Sequence, residues 1–148
     1  MRRAGTEVPA LAYAFAEALE WNLLRQAELQ ERQVLWKAKI INELRAIDGF
    51  FLSAEEVPQL PNTLNFGVRG VSAESLLISL DLDQICVSTS TACSSGALEA
   101  SHVLLAMGLS RQEAKSCLRV SMGWGNTEEE ISFVLERIAF HVKRLQRL

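Results

Sequence analysis

Cys93 is the residue of this sequence best placed for nucleophilic chemistry. It lies within the segment 89–97, which carries hydroxyl groups and a glycine but no large apolar side chain. Such a segment cannot anchor itself in a core, so we expect an accessible loop, and a reactive thiol needs that access. No Lys, Arg or His lies within five residues of it. The sequence therefore names no activating charge, and a plain surface cysteine is the alternative.

Arg119 is the second residue with an evident chemical use. Strand alternation buries its apolar neighbours and turns Arg119 to the opposite face; those neighbours are Leu118, Val120 and Met122. A guanidinium in that position can hold a carboxylate in a two-pronged pair. An ordinary arginine on a solvated face is the alternative.

The remaining cysteines and histidines receive plainer interpretations. Cys86 and Cys117 lie in or beside apolar segments and are predicted to be small buried hydrophobes. His102 is either a proton carrier or a helix-start histidine, and His141 is predicted to lie on the surface of the last helix. These dispersed residues form no convincing metal constellation, so no metal site is predicted.

A long helix is predicted to precede both Cys93 and Arg119, over residues 9–47. Pro9 suits its first turn, and Gly49 supplies a stop. Apolar residues recur at helical spacing; they are Leu11, Phe15, Leu19, Leu23, Val34, Ile41 and Leu44. Its length, above about 50 Å, is large for a small domain. Part of it is expected to pack on something that this chain does not contain.

A small sheet and several shorter helices are predicted after that helix. Strands are predicted at 63–68, 85–88 and 118–122, and helices at 73–82, 101–107, from 110 and from 127 to the end. Ser72 is the predicted cap of one helix. Ser110 with Glu113, and Thr127 with Glu130, have capping-box spacing. The order favours an α+β fold with helices on one face of a small sheet.

Composition limits the class of function. The 148 residues are 49% hydrophobic and 22% charged with net charge −3, which argues against disorder. No basic run favours nucleic acid, and no apolar stretch approaches the roughly 18–20 residues of a membrane span. The N-terminus lacks the apolar core of a signal peptide. Three cysteines without a C-x-x-C pair argue against a disulfide framework. A cytoplasmic protein is expected.

Several motifs, in order and spacing, resemble the C-terminal small domain of NifS/IscS-type cysteine desulfurases, which are pyridoxal phosphate (PLP) enzymes related to class V aminotransferases. The matching segments are 60–65, 85–88, 92–96, 98–104, 118–123 and 127–131. Residues 3–6 resemble the R-x-G-T motif that precedes the long interdomain helix of that family. The resemblance implies a large-domain remnant at 1–8, the interdomain helix at 9–48, and a small α+β domain at 49–148 with the catalytic-cysteine loop at 88–98.

The resemblance also implies a chemistry. In that family a large-domain lysine holds PLP, and a loop cysteine takes sulfur from L-cysteine as a persulfide, leaving alanine. Cys93 matches that cysteine, and Arg119 matches the arginine that binds the substrate carboxylate. Thr6 matches the threonine that reaches the PLP phosphate of the partner subunit in a homodimer. An iron–sulfur scaffold protein is the implied sulfur acceptor.

Departures from the family concern the loop and the cofactor. Ser90, Thr91 and Ala100 differ from the usual glycine, serine and proline, and Trp124 stands where arginine is common. None of the four lysines follows a histidine, as the PLP lysine of the family does; they are Lys37, Lys39, Lys115 and Lys143. The isolated chain is therefore predicted not to desulfurate cysteine.

The position of Met1, directly before a motif that lies mid-chain in the family, leaves several origins open. A gene fragment, an internal start and one half of a split enzyme are all compatible with it. Two other hypotheses about the function also stay open. In one, the chain is a non-enzymatic sulfur carrier or interaction module. In the other, it is a remnant without activity.

Overall fold

The structure is a computed structural model that describes Gly5 and residues 8–55, 57–89 and 100–147. Thr6, Cys93 and most of the predicted loop at 88–98 lie outside the described residues. Arg119 and the elements around it lie within them.

The described chain is an α+β fold, as predicted. Its elements are α1 (Pro9–Leu44), β1 (Phe50–Leu52), β2 (Thr63–Val68), α2 (Ala73–Leu82), β3 (Ser88–Thr89), α3 (His102–Ala106), α4 (Arg111–Lys115), β4 (Cys117–Ser121) and α5 (Glu128–Leu145). The four strands form one sheet in the order β1-β2-β4-β3, and each neighbouring pair is antiparallel.

One face of the sheet carries the main core. Alternate residues of β2 and β4 point into it, because successive side chains of a strand point to opposite faces. The three longer helices supply the other side of this core. Its buried members include Leu64, Phe66, Leu118 and Val120 from the sheet, Trp36 and Ile40 from α1, Leu76 and Leu80 from α2, and Ile138 and Val142 from α5.

The opposite face is covered at one end by the two short helices. Cys117 points to this side and packs with Leu104 of α3 and Ala114 of α4. Phe51 lies against the same cluster and is paired with Gly67 in the neighbouring strand. A Cβ on Gly67 would lie 2.7 Å from Cε1 of Phe51 and closer still to Cζ. Glycine at 67 therefore lets the Phe51 ring lie across the sheet.

Helix α1 was predicted correctly as a long helix, although it ends at Leu44 rather than near residue 47. A turn then leads to Gly49, whose φ of +79° suits glycine. Only four α1 residues are buried: Gln33, Trp36, Ile40 and Leu44. The N-terminal half of α1 is exposed to solvent.

The predicted helix starts are confirmed where local signals specify them. The Ser72 side chain accepts a hydrogen bond from the Ser75 N–H at 3.4 Å. Both predicted capping boxes are formed at the starts of α4 and α5. These signals act within four residues, so they need no tertiary context.

Three sequence interpretations were wrong. The strand predicted at 85–88 is reduced to β3, because only Ser88 and Thr89 pair with β4. Cys86 is exposed rather than buried, since the segment before β3 lies outside the sheet. His141 is buried and only 5% exposed, since it packs against the end of α2.

Candidate substrate-binding site

Arg119 occupies the position that alternation predicted. It lies in β4 between Leu118 and Val120, which are buried in the main core, while Arg119 itself is exposed on the opposite face. Among the residues that the structure describes, no carboxylate lies within ion-pair distance of its guanidinium. Its charge is therefore not neutralised by a described acidic side chain.

A row of polar residues crosses the sheet at Arg119. Asn65 of β2 is the direct partner of Arg119 on one side, and Ser88 of β3 is its direct partner on the other. Directly opposed residues of an antiparallel pair share a face, with Cβ atoms about 4.5–5.5 Å apart. Thr63 and Ser121 form the next paired row on that face. Hydroxyl and amide groups thus surround the Arg119 stem.

Helix α1 fixes the strand ends beside this row. The Gln33 side chain donates to the Met122 carbonyl at 3.2 Å and is itself buried. The Met122 N–H donates to the Asn62 carbonyl at 2.8 Å. The Lys37 ammonium donates to the carbonyls of Leu60 at 2.9 Å and Thr63 at 2.8 Å. These bonds hold the start of β2 and the end of β4 against one rigid helix.

Trp124, a departure from the resembling family, packs on α1. Its ring meets the Trp21 ring edge-on at 5.5 Å between centroids. Its carbonyl accepts a hydrogen bond from Arg32 at 3.0 Å, and Arg25 lies 4.4 Å over Trp21. The loop that follows β4 is therefore fastened to α1 by stacking and by a charged donor.

The two described thiols differ in their chemical availability. Burial, assisted by the nearby Glu113 charge, raises the pKa of Cys117 to about 12. Its Sγ donates to the Glu113 carbonyl at 3.3 Å. Cys117 is therefore a thiol at neutral pH and a poor nucleophile. Cys86 is exposed, whereas Cys93 lies outside the described residues.

The lysines do not fit a PLP site. Lys37 is held by three oxygen acceptors, including Gln59 Oε1 at 2.8 Å, and burial lowers its pKa. Lys39 pairs with Glu128 at 2.5 Å and with Ser132 at 2.9 Å. Lys115 and Lys143 are exposed near helix ends. Two of the four lysines are thus engaged by acceptor oxygens, and the other two are exposed to solvent.

The described ranges show neither a candidate membrane span nor a candidate metal cluster. Between residues 8 and 147, apart from the undescribed positions, no helix has the length and apolar character needed to cross a membrane. The same residues contain no group of three or more His, Cys, Asp or Glu side chains arranged to hold a metal ion.

One polar cluster was missed by the sequence analysis. The Asp83 carboxylate accepts hydrogen bonds from Arg137 Nε at 2.6 Å and Nη2 at 3.2 Å. It also lies 2.6 Å from His141 Nε2. The i, i+4 spacing of Arg137 and His141 was the available signal, but their acidic partner lies more than 50 residues earlier. The cluster joins α2 to α5 outside the Arg119 row.

The fold agrees with the comparisons to known proteins. Residues 1–134 match the family model described as aminotransferase class-V. The chain belongs to this family and corresponds to part of a NifS/IscS-type protein.

The similar proteins are named cysteine desulfurases or NifS-like proteins. The chain is 35% identical to cysteine desulfurase IscS of Clostridium botulinum (strain Hall) over 150 residues. It is 32% identical to cysteine desulfurase IscS of Dictyoglomus turgidum over 148 residues. Each match covers 99% of this chain and 38% of the relative. A NifS-like protein from Rickettsia africae superposes with a TM-score of 0.81 at 27% identity, covering 96% of this chain and 36% of that structure.

Proposed function

We propose that this chain supplies the sulfur-accepting and substrate-binding part of a cysteine desulfurase. In this proposal Arg119 binds the carboxylate of L-cysteine, and Cys93 takes its sulfur. The Cys93 thiol and L-cysteine give a Cys93 persulfide and alanine, so sulfur moves from one thiol to the other with no net oxidation. The observation that carries the proposal is Arg119, exposed and without a described acidic partner in a polar row.

The position of β3 supports the pairing of Cys93 with Arg119. Ser88 of β3 is the direct partner of Arg119, and the chain continues from Thr89 to Cys93 in four residues. Four residues span at most about 14 Å even when fully extended. This sequence separation is short enough for Cys93 to serve the site at Arg119, as we propose.

We propose that the PLP site lies in residues outside this chain. Its lysines do not fit a PLP site, and the chain spans 38% of the length of the relatives it matches. We propose that a PLP-binding large domain or a second subunit completes the enzyme, with Thr6 reaching the PLP phosphate across a dimer. The sulfur acceptor in this proposal is an iron–sulfur scaffold protein, and the compartment is the cytoplasm, where thiols stay reduced.

The experiment combines the purified chain with the PLP-binding part of the Clostridium botulinum relative. The mixture is given L-cysteine, alanine is assayed, and persulfide is located by mass spectrometry of alkylated peptides. We expect alanine and a persulfide on Cys93 in the mixture, and neither from the chain alone with PLP.

Matched cysteine variants decide whether Cys93 is the acceptor. Cys93→Ser should abolish the persulfide, whereas Cys86→Ser, which removes an exposed thiol, should retain it. Persulfide on Cys86, or alanine production that survives Cys93→Ser, would contradict the proposal. A different outcome would favour a non-enzymatic sulfur carrier. In that case the mixture produces no alanine, but a complete desulfurase transfers a persulfide to Cys93.

A further inference from the structure

We propose that Asn65 is a positioning residue for Arg119, its direct partner across the sheet. The inference rests on the proposed function, since it assigns the carboxylate to Arg119. It assigns a role to Asn65 and explains why an amide, rather than a carboxylate, suits position 65.

The sheet register carries the geometric part of this inference. Asn65 and Ser88 are the direct partners of Arg119 on its two sides, and both are half-buried, whereas Arg119 is exposed. A long arginine side chain standing alone on a surface samples many rotamers. Neighbours on both sides, with Cβ atoms about 5 Å away, restrict its stem to the direction that points away from the sheet.

The backbone around Asn65 is rigid enough to give such a restriction. Strand β2 lies between β1 and β4 in the sheet, so its backbone is paired on both sides. The residues flanking Asn65, Leu64 and Phe66, are 0% and 1% exposed in the main core. Asn65 therefore presents its side chain from a fixed strand.

The positioning role of Asn65 depends on its side-chain amide being uncharged. Aspartate has nearly the same shape as asparagine, but at 65 it would place a carboxylate directly beside the Arg119 guanidinium. That carboxylate would form an internal ion pair and compete with the carboxylate of the substrate. The polar residues on this face, Thr63, Ser88 and Ser121, likewise carry no negative charge. The row thus orients Arg119 without neutralising it.

The test measures carboxylate binding by the full 148-residue chain, using sodium propionate as the probe. The Arg119 side-chain Nε–H signal is followed by NMR at constant ionic strength. The wild type should show a saturable shift. Asn65→Asp should weaken propionate binding about tenfold or more, which corresponds to about 1.4 kcal/mol, and Asn65→Ala should weaken it about threefold.

Asn22→Asp is the matched control, because Asn22 is exposed on α1 outside the Arg119 row and the change adds the same negative charge. It should bind propionate as the wild type does. The backbone amide signals of Leu64 and Phe66 report whether each variant keeps its core, and Asn65→Ala decides the matter if Asn65→Asp does not fold. Wild-type binding by both Asn65 variants, or no saturable Arg119 shift in the wild type, would overturn the inference.

A second readout separates this inference from the proposed function. In the mixture with a PLP-binding part, Asn65→Asp should raise KM for L-cysteine about tenfold and leave kcat nearly unchanged. Absence of a Cys93 persulfide in the wild type would defeat the proposed function. A wild-type KM in Asn65→Asp, with Cys93 still persulfidated, would defeat only the inference.

Discussion

Asp83 joins α2 to α5 through one carboxylate. Hydrogen bonds from Arg137 first and from His141 next hold the pKa of Asp83 below its usual range, although burial opposes this. Arg137 approaches the carboxylate through two nitrogens, the geometry in which a guanidinium binds most specifically. The side chains of Asp83 and Arg137 are 22% and 24% exposed, so solvent screens the pair only in part.

Replacing Asp83 should therefore destabilise the fold in a pH-dependent way. Because its pKa is lower in the folded state, ionised Asp83 stabilises the protein above its ordinary pKa of about 4. This stabilisation is lost as pH falls through the folded-state value. Asp83→Asn should lower Tm by about 3 °C or more at pH 7, and the gap to the wild type should close below about pH 4. Thermal unfolding followed by circular dichroism across pH measures both.

Asp81→Asn is the control for this prediction. Asp81 lies two residues earlier in α2, and its side chain is exposed. Removing its charge should change Tm little at any pH, since exposed charges contribute little stability. A pH-independent gap for Asp83→Asn would mean that packing, rather than ionisation, accounts for its effect.

At the scale of the elements, the close approach of β1 to β2 depends on a glycine. The Phe51 ring lies across Gly67, where a Cβ would meet it at under 3 Å. The Ser116 carbonyl would also lie 3.1 Å from that Cβ. The Arg69 guanidinium lies over the Phe51 ring, 5.2 Å from the ring centroid. The Phe51 ring, the Gly67 backbone and the Ser116 carbonyl thus share one confined space.

Gly67→Ala should destabilise the protein by about 1–3 kcal/mol, the usual cost of overpacking. In a Phe51→Ala background the same change should cost at least about 1 kcal/mol less, because the ring that it displaces is gone and alanine loses less backbone entropy than glycine. Urea unfolding of the four proteins of the cycle measures this coupling. An equal cost in both backgrounds would show that the Ser116 carbonyl, not the ring, sets the limit.

The elements also show which parts of the fold the sequence could predict. The bounds of β2 and α2 and both capping boxes were correct, since the alternating apolar residues and capping side chains that specify them lie within the elements. β1 was not predicted, because three half-buried residues carry too short a pattern. Its position depends on pairing with β2, which lies more than ten residues later.

Side-chain burial was likewise predicted correctly where local patterns specify it and wrongly where a distant residue decides it. Exposure of Arg119 was predicted by strand alternation, and burial of Cys117 was predicted from its place beside an apolar strand; both are confirmed. His141 was placed wrongly because Asp83, the residue that draws it inward, is distant in sequence. The roles of Cys93 and Thr6 stay predictions, since both residues lie outside the described part of the chain.

At the scale of the whole molecule, apolar residues occur on α1 beyond the part of the helix that the other elements bury. At 100° per residue, Leu11, Phe15 and Leu19 lie on the same helical face as the buried residues Ile40 and Leu44. Leu11, Phe15 and Leu19 are nevertheless 70%, 71% and 50% exposed. The exposed part of this face thus carries an apolar stripe of the kind that marks an interaction surface, and Asn22 and Gln26 separate it from the buried part.

This stripe predicts how the isolated chain behaves. The triple variant Leu11→Gln, Phe15→Gln, Leu19→Gln should reduce binding of the dye ANS and self-association of the chain. Its urea midpoint should match the wild type, because these residues are at least half exposed and none belongs to the core of the described fold. Fluorescence titration, sedimentation velocity and urea unfolding measure the three quantities.

Ile40→Gln provides the contrast, since it makes the same kind of change on the same face where the helix is covered. Ile40 is 1% exposed, and a buried amide without a built partner costs about 1–3 kcal/mol in addition to the lost apolar contacts. We expect a fall of about 3 kcal/mol or more in the free energy of unfolding. A comparable loss in the triple variant would mean that the N-terminal half of α1 is packed within this chain. An unchanged midpoint, with weaker association to the PLP-binding part in the mixture, would place the stripe at that junction.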